Sequence, residues 1–363
     1  MKKKRKPQLK TLCVQFRDIR SDVRQGKALA PIVQMDTHSP NATVQHCLSL
    51  TSFVRSSPSQ AFTINGIVAC VVNAILAITA TSVNASVILT FWKSPNLRTK
   101  VPFFLIMVLS LTDFAVGVLV HPMFIVMMIR QLTGRGDCIS KTIYLAATTL
   151  FPGLSAATLA VINVERYLAI AHPFFYQRRV TKQNLLVATL LSWSSWMPII
   201  VTAFFNTKLE NKLMIVYVIA MCLLTILVYL RIYLIARQKR RLDPKPLTAR
   251  TECYLQVSTV GLDSEPARNA ANKREKLTEF IKDVKLAKTF VLIVVCSQVC
   301  YFPTAVYHVY LYLNKGAAVT VPLMIAGAWV LTFTTINSTL NSLIFFWKNS
   351  QLRNEMLRIV RCG

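Results

Sequence analysis

The sequence predicts an all-α membrane protein, in which a bundle of seven membrane-spanning helices is followed by a short C-terminal amphipathic helix. Three observations predict it: the composition, seven charge-poor runs, and the placement of the basic residues. Of the 363 residues 53% are hydrophobic and 16% are charged, and the mean hydropathy is +0.45. A soluble domain is less apolar than this. The alternating strands of about ten residues that are typical of a membrane β-barrel are absent from the sequence.

Seven runs are long enough to cross the hydrocarbon core of a bilayer, which takes about 20 helical residues. The third run, 142–164, contains no formal charge, and the second is interrupted by Asp113 alone. The runs cover 62–92, 101–129, 142–164, 183–205, 213–230, 289–313 and 316–347. Because the number of spans is odd, we expect the two chain ends on opposite sides of the membrane.

The net charge of +27 indicates orientation rather than nucleic-acid binding. The segments that fall on one side of the predicted bundle carry 23 of the Lys and Arg residues, and 13 of these lie in 237–288. Far fewer lie on the other side. By the positive-inside rule the C-terminus is cytoplasmic and the segment before the first span is extracellular, as in a multi-pass protein of the plasma membrane.

The segments outside the spans have distinct compositions. Residues 1–61 are polar and predict an irregular extracellular tail, although the basic stretch before Met35 conflicts with that orientation. We therefore interpret 1–34 as an upstream extension. Asn41 begins an Asn-Ala-Thr glycosylation triplet, which predicts a glycoprotein. Residues 62–347 form the membrane domain, with 237–284 as a mostly disordered third cytoplasmic loop, and 348–363 form an amphipathic helix and tail. In the last part of that loop Leu277, Phe280, Ile281 and Val284 recur at helical spacing, which predicts that the sixth helix extends into the cytoplasm.

An acid and an arginine, Glu165 and Arg166, stand side by side at the end of the third span, followed by Tyr167. Ionisable groups at membrane depth are costly and usually face the interior of a bundle. The alternative is a flanking charge that only anchors the helix end. Near the middle of the second span Asp113 also needs a partner, a proton or an ion. Pro303 predicts a kink in the sixth span.

These motifs occur in order, and the chain resembles a rhodopsin-like (class A) G-protein-coupled receptor over residues 62–361. In that family the third helix ends in Asp/Glu-Arg-Tyr, here Glu165, Arg166 and Tyr167. The resemblance implies that Arg166 pairs with Glu165 and with Asp283 on the sixth helix when the receptor is off. It also implies that Tyr229 supports the arginine when it is released to a heterotrimeric G protein.

The resemblance also implies a sodium pocket midway through the bundle, with Asn84 adjoining it. A hard cation prefers oxygen ligands, and Asp113 needs a counter-charge. The alternative is a hydrated polar network that binds no ion. The resemblance implies no other cofactor. The implied ligands are Asp113, Ser155, Asn337, Ser338 and Asn341.

The chain departs from the family pattern in several places. The seventh-helix Asn-Pro-x-x-Tyr motif is here Asn341, Ser342, Leu343, Ile344 and Phe345. The sixth-helix tryptophan is Tyr301, and Met221 replaces a fifth-helix proline. The short loop 206–212 has no cysteine for the usual loop disulfide, so Cys138 either pairs with Cys47 or stays unpaired. The short loop and the absent proline resemble the melanocortin branch, although its acidic pocket residues are not evident.

The same resemblance restricts the ligand class. Thr148 occupies the position of the amine-binding aspartate, which disfavours a small cationic amine, and 316–347 contains no lysine for retinal. A mostly neutral aromatic cavity remains, with His121 near its outer end, and it suits a lipid, a neutral small molecule or a short peptide. Each lining residue can equally be a packing residue. The predicted lining comprises Thr148, Pro152, Tyr301, Thr304, His308, Trp329 and Thr335.

Two other functions compete with a receptor. A secondary transporter or channel would use Asp113 as an ion relay, but transporters tend to contain internal repeats, and the two halves show none. A membrane enzyme is disfavoured because no span carries metal-ligand spacing, a Ser-His pair or a phosphate loop. We therefore predict a receptor that is not an enzyme, whose partners are a G protein, an extracellular ligand and membrane lipids.

Overall fold

The computed structural model describes residues 43–47, 51–55, 59–136, 138–242, 265–314 and 320–362. Within these ranges only the backbone is described for the two strands, for 265–286 and for a few positions near helix ends. Seven helices of the described chain are long and apolar enough to cross a membrane, as the sequence predicts. Asn41 and the segment before it lie outside the described residues.

The first two spans and the segment that links them occupy 60–132. The first span begins where the Ser59 hydroxyl accepts a hydrogen bond from the backbone N–H of Phe62 (3.2 Å), which caps the helix. The second span is divided in two by a π-helical segment. The elements are α1 (Gln60–Lys93), α2 (Pro95–Arg98), α3 (Val101–Ala115), the π segment (Val116–Val120) and α4 (His121–Leu132).

The remaining spans are single helices. The third, fourth and fifth spans are α5 (Cys138–Ala171), α7 (Lys182–Phe205) and α8 (Thr207–Leu242), and the short α6 (Pro173–Arg179) links the third to the fourth. The sixth and seventh spans are α9 (Glu265–Leu313) and α10 (Val321–Lys348). The chain then forms α11 (Ser350–Cys362), the predicted C-terminal amphipathic helix.

The N-terminal tail is not wholly irregular, so that prediction is wrong for its last part. Strands β1 (Thr43–Cys47) and β2 (Thr51–Arg55) form an antiparallel hairpin in which Thr43 pairs with Arg55. Both strands contain β-branched residues, which favour extended backbone. β2 contacts α5. The tail therefore lies against the third span.

The connection between the fourth and fifth spans is shorter than the predicted loop 206–212. Only Asn206 separates α7 from α8, and its side-chain oxygen accepts a hydrogen bond from the backbone N–H of Leu209 (3.1 Å). An asparagine in this position caps a helix start. The capped first turn places residues 207–212 on the helix instead of in a loop.

The predicted loop 237–284 is also partly helical. α8 continues to Leu242, and α9 begins at Glu265, before the helical pattern that the sequence shows from Leu277. The sixth span therefore extends beyond the membrane, as predicted, and this extension is longer than the sequence pattern indicates. Residues 243–264 lie outside the described residues.

The π segment of the second span follows Asp113 closely and precedes Pro122. Pro122 lacks the N–H that would bond to the preceding turn, so the regular helical ladder is interrupted here. In the same segment Gly117 lies against α1, and a Cβ at this position would approach the backbone nitrogen of Thr81 to 2.8 Å. The first and second spans can approach this closely only because residue 117 is a glycine.

The third span lies at the centre of the bundle and contacts the second, fourth, fifth, sixth and seventh spans. We call the end of the bundle where α1 ends, at Lys93, and where α10 ends, at Lys348, the basic end. The opposite end, where α1 begins, is the cavity end. Many large apolar side chains face outwards, as expected where a bilayer surrounds the bundle.

α11 lies against the basic end of the first span. Leu352 is buried in the same apolar cluster as Phe91 and Leu97. The Glu355 carboxylate accepts hydrogen bonds from Asn96 Nδ2 (3.1 Å) and Ser94 Oγ (2.9 Å), and these bonds lower the pKa of Glu355. One apolar and one polar contact therefore hold the C-terminal helix to the bundle.

We predict that Gly153→Ala destabilises the bundle, because a Cβ at this position would overlap the indole of Trp196. Trp196 is fixed by a hydrogen bond to the Thr149 carbonyl (2.9 Å) and by Tyr217, whose ring centroid lies 4.6 Å away. Overpacking of this kind costs about 1–3 kcal/mol. A lower thermal unfolding midpoint of the purified protein would show it.

The control for this variant is Gly66→Ala, in which the added Cβ meets only the flexible ends of Met128 and Leu132, at 3.1–3.2 Å. We expect a smaller loss of stability there. Equal midpoints for the two variants would contradict the packing argument.

Candidate functional site

A buried ion pair lies at the basic end of the third span. Glu165 and Arg166 are 2% and 1% exposed, and the guanidinium donates two hydrogen bonds to the carboxylate of its neighbour. Tyr176 on α6 completes the group, since its hydroxyl donates to Glu165 Oε1 (2.5 Å) and lies 3.4 Å from Arg166 Nη2. Burial makes the loss of either charged partner costly.

The other predicted switch residues surround this pair without joining it. The Tyr229 hydroxyl donates to Asn163 Oδ1 (3.0 Å), one turn from Arg166, and Tyr167 stacks edge-on with His172. Asp283 lies in α9, but its side chain is outside the described residues, so the predicted Arg166–Asp283 ion pair stays a prediction.

The predicted ion site lies deep in the bundle, and its five residues are all buried. Asp113 is fully buried, and its Oδ2 accepts a hydrogen bond from Asn341 Nδ2 (3.0 Å) on the seventh span. Asn341 Nδ2 also lies 3.5 Å from the hydroxyl of Ser155 on the third span. Among the described residues no donor bonds to Asp113 Oδ1, and the Ser338 hydroxyl has no partner either. Two oxygens of the predicted ligand set are therefore buried and unbonded.

Ser297 connects this group to the sixth span, although no pattern in the sequence indicated it. Its hydroxyl donates to Asn337 Oδ1 (2.7 Å) and lies 3.4 Å from Asn341 Oδ1. Asn337 in turn donates to the Tyr301 hydroxyl (3.3 Å), which donates to the Pro152 carbonyl (3.0 Å). The polar network thus joins the second, third, sixth and seventh spans.

The two residues of the seventh span that depart from the family motif, Ser342 and Phe345, contact neighbouring spans. The Ser342 hydroxyl donates to Asn84 on the first span and lies 3.4 Å from the Ser110 hydroxyl on the second. Phe345 is buried against Phe103 and Phe290, with ring centroids at 6.3 and 5.8 Å. Where the family has a proline and a tyrosine, this chain has an interhelical hydrogen bond and an aromatic core residue.

The larger of two adjoining cavities, of about 320 Å³, lies between the polar network and the cavity end, and the smaller, of about 90 Å³, continues beside the network as far as Asn163. They share Thr304, His308 and Glu210 in their linings. Of the predicted ligand residues, five line at least one cavity. These are Thr148, Pro152, Tyr301, Thr304 and His308.

Three other predicted residues lie outside both linings. Trp329 donates its indole N–H to Asn65 Oδ1 (3.2 Å), and the Thr335 hydroxyl bonds to the backbone of its own helix. His121 is fully buried and bonds through Nδ1 to Asn73 Oδ1 (2.8 Å). Trp329 and His121 therefore connect helices, whereas Thr335 bonds within its own helix.

The sequence did not indicate several residues of these sites. Glu210 and Asn211 line the larger cavity, although the sequence placed them in a loop. Charge at the end of an apolar run is usual, so nothing in the pattern separated a buried acid from an exposed one. Tyr176 was equally hidden, because it lies outside the spans, on a helix of seven residues.

Cys138 is disulfide-bonded, and its partner lies outside the residues whose side chains are described. Cys47, the predicted partner, falls in β1, where only the backbone is described. Four cysteines inside the spans are free thiols, of which Cys300 is buried and the other three are partly exposed. The four are Cys70, Cys222, Cys296 and Cys300.

Comparison with known proteins gives the family directly. The family model described as 7 transmembrane receptor (rhodopsin family) matches residues 83–345. An adenosine receptor A3 of Ovis aries is 24% identical over 285 residues, which cover 77% of this chain and 84% of the receptor. A D(1A) dopamine receptor of Xenopus laevis is 26% identical over 239 residues, 57% of this chain and 52% of that receptor.

A shorter match is found to a melanopsin of Branchiostoma belcheri, 41% identical over 110 residues, which are 30% of this chain and 15% of the melanopsin. The chain therefore spans about half of the dopamine receptor and a small part of the melanopsin. None of these three relatives is a melanocortin receptor, so the likeness to that branch stays a prediction. The seven spans, the third-helix motif and the match over most of the chain agree: the protein belongs to the rhodopsin family of seven-transmembrane receptors.

Proposed function

We propose that the protein is a plasma-membrane receptor that binds an extracellular ligand at its cavity end and activates a heterotrimeric G protein at its basic end. The observation that carries this proposal is the buried Glu165–Arg166 pair, which lies at the opposite end of the third span from the larger cavity. A polar network fills the space between them. In this proposal the N-terminus is extracellular and the C-terminus cytoplasmic, because basic residues concentrate at the basic end.

The switch proposed here works by competition for the Arg166 guanidinium. In the resting state Arg166 is held by Glu165 and by Asp283, and Tyr176 adds a further hydrogen bond to the acid. A ligand that favours an outward position of the sixth helix would separate Asp283 from Arg166, since a ligand shifts an equilibrium by its differential affinity for the two states. Arg166 would then be available to the G protein.

A sodium ion is proposed to bind beside Asp113. The chemistry of the site fits, because Asp113 Oδ1 and the Ser338 hydroxyl are buried oxygens without described partners. The carbonyl oxygens of Asn337 and Asn341 and the hydroxyl of Ser155 complete a set of hard ligands. When bound, the ion would compensate the charge of Asp113 inside the bundle.

A transporter is disfavoured as the second candidate. The relatives reported above are receptors, and Asp113 is enclosed by the bundle with no exposure. Uptake or current that depends on Asp113 and occurs without a G protein would favour the transporter.

The first test replaces the two ends of the proposed ion pair. We predict that Asp283→Ala raises ligand-independent nucleotide exchange on a reconstituted G protein, because the resting state loses a partner of Arg166. Arg166→Ala should abolish exchange. Glu279→Ala, one helical turn earlier, is the matched control and should leave exchange unchanged. Unaltered exchange in Asp283→Ala, at equal amounts of folded protein, would remove the interhelical pair from the proposal.

The second test concerns Tyr176. A hydrogen bond to a charged group contributes about 1.5–3 kcal/mol, so a bond made only in the resting state should restrain activity measurably. We predict that Tyr176→Phe raises ligand-independent exchange by about tenfold to hundredfold, since about 1.4 kcal/mol corresponds to a factor of ten. Tyr233→Phe is the control, since Tyr233 lies at the same end and is 60% exposed. Similar exchange in both variants would show that Tyr176 does not restrain Arg166.

The third test concerns the ion. Sodium at about tenfold its Kd should stabilise the folded state by about 1.4 kcal/mol. We predict that sodium chloride raises the thermal unfolding midpoint above that in potassium chloride of equal ionic strength, and that Asp113→Asn abolishes the difference. Asn73→Ala, in a separate buried network, should retain it. A wild-type midpoint that is equal in the two salts would leave a polar network without an ion.

A further inference from the structure

A buried acid lines the cavities at their outer side. Glu210 lies in the first turn of α8 and is 8% exposed, and it contributes to the linings of both cavities. Its neighbour Asn211 is 7% exposed and lines the larger cavity. An acid in the first turn of a helix is favourable, but that preference does not require burial.

The Glu210 carboxyl has neither a hydrogen bond nor an ion pair with any residue that the structure describes. A buried carboxylate without a partner is costly, so it either takes up a proton or receives a partner from outside the chain. Lys141 lines the same cavity, but it is already engaged in an interaction of its own. The described lining therefore offers an acceptor of positive charge that no described residue of the chain satisfies.

The rest of the cavity suits an apolar body. Phe62, Phe124 and Tyr144 contribute aromatic surface at one side, and Tyr307 lies beside Gly327 at the other. His308 is not an open hydrogen-bonding group on its Nδ1 side, because that nitrogen lies 2.6 Å from Asn211 Oδ1. Charge and apolar surface are thus separated within one cavity, as in sites that bind amphipathic small molecules.

We infer that Glu210 binds a cationic group of the ligand, a protonated amine or a guanidinium, while the aromatic lining holds the ligand's apolar body. This inference rests on the receptor proposed above. It revises the expectation that a small cationic amine is disfavoured, which was based on Thr148 alone. The Thr148 hydroxyl donates to the Tyr144 and Leu145 carbonyls of its own helix (3.0 Å each), whereas the acid of this cavity lies on the fifth span.

The test uses three probes of similar size that differ in charge: phenethylammonium, phenethyl alcohol and phenylacetate. Affinities are obtained for the purified receptor from the rise of its thermal unfolding midpoint with probe concentration. In the wild type the ammonium should bind at least about tenfold more tightly than the alcohol or the acid. Glu210→Gln should weaken ammonium binding by about tenfold to hundredfold, the factor for one charge-assisted contact, and remove the preference.

Two further variants separate charge from folding. Glu210→Asp keeps the charge on a shorter side chain and should retain the preference for the ammonium. Glu355→Gln removes an acid at the basic end and should leave all three affinities unchanged. Equal affinities of the wild type for the three probes, no binding of the ammonium, or unchanged ammonium binding in Glu210→Gln would each overturn the inference.

Nucleotide exchange without ligand, measured on the same preparations, separates this inference from the proposed function. Exchange that depends on Arg166, together with no preference for the ammonium, overturns only the ligand class. A preference for the ammonium without any exchange overturns the coupling to a G protein and leaves the cation site standing.

Discussion

The structure depends on a carboxylate that is buried in the middle of a membrane bundle. Asp113 has no exposure, and a bilayer offers no water to its oxygens, so its partners must come from neighbouring helices. Asn341 supplies one hydrogen bond, and Ser297 and Asn337 extend the network to the sixth span. Each bond restricts how far one helix can rotate against the next. The apolar contacts between the spans lack this directionality. They also gain little over contacts with lipid, because lipid is as apolar as the helix surfaces.

The polar groups inside the bundle lie at three depths, which we call levels, and the third span contributes to each. Near the basic end it supplies Glu165 and Arg166, at mid-depth Ser155, and below the cavities the Pro152 carbonyl that accepts from Tyr301. The second and third of these levels are linked, since Tyr301 also accepts from Asn337 of the central network. A displacement at the cavity floor therefore changes bonds that also involve the ligands proposed for sodium. This chain of contacts connects the cavity floor to the central network around Asp113.

The sequence predicted the spans well, because hydropathy reports the long apolar helices that a bilayer requires. Charge in or beside an apolar run also drew attention to Asp113 and to the Glu165–Arg166 pair, whereas the other residues around Asp113 were selected by the family resemblance. Prediction from the sequence failed where one residue decides the geometry. Asn206 caps α8 and moves Glu210 from a predicted loop onto a helix, and Pro122 accompanies a π segment that no hydropathy pattern indicates. Burial of Glu210 depends on which helices face it, and a single apolar pattern does not state that.

The departures at the seventh span bear on which helix can move. Ser342 bonds to Asn84 of the first span, and Phe345 packs between Phe103 and Phe290, so the basic end of α10 is tied to its neighbours. Regular hydrogen bonding through residue 342 also removes the kink that a proline would introduce. The sixth span differs, since Pro303 interrupts its backbone bonding and α9 extends well beyond the membrane. Its ties to the network are the hydroxyls of Ser297 and Tyr301. Phe290 of the aromatic cluster belongs to the sixth span, so an outward movement of the sixth helix at the basic end has to break these hydrogen bonds and also separate Phe290 from Phe345.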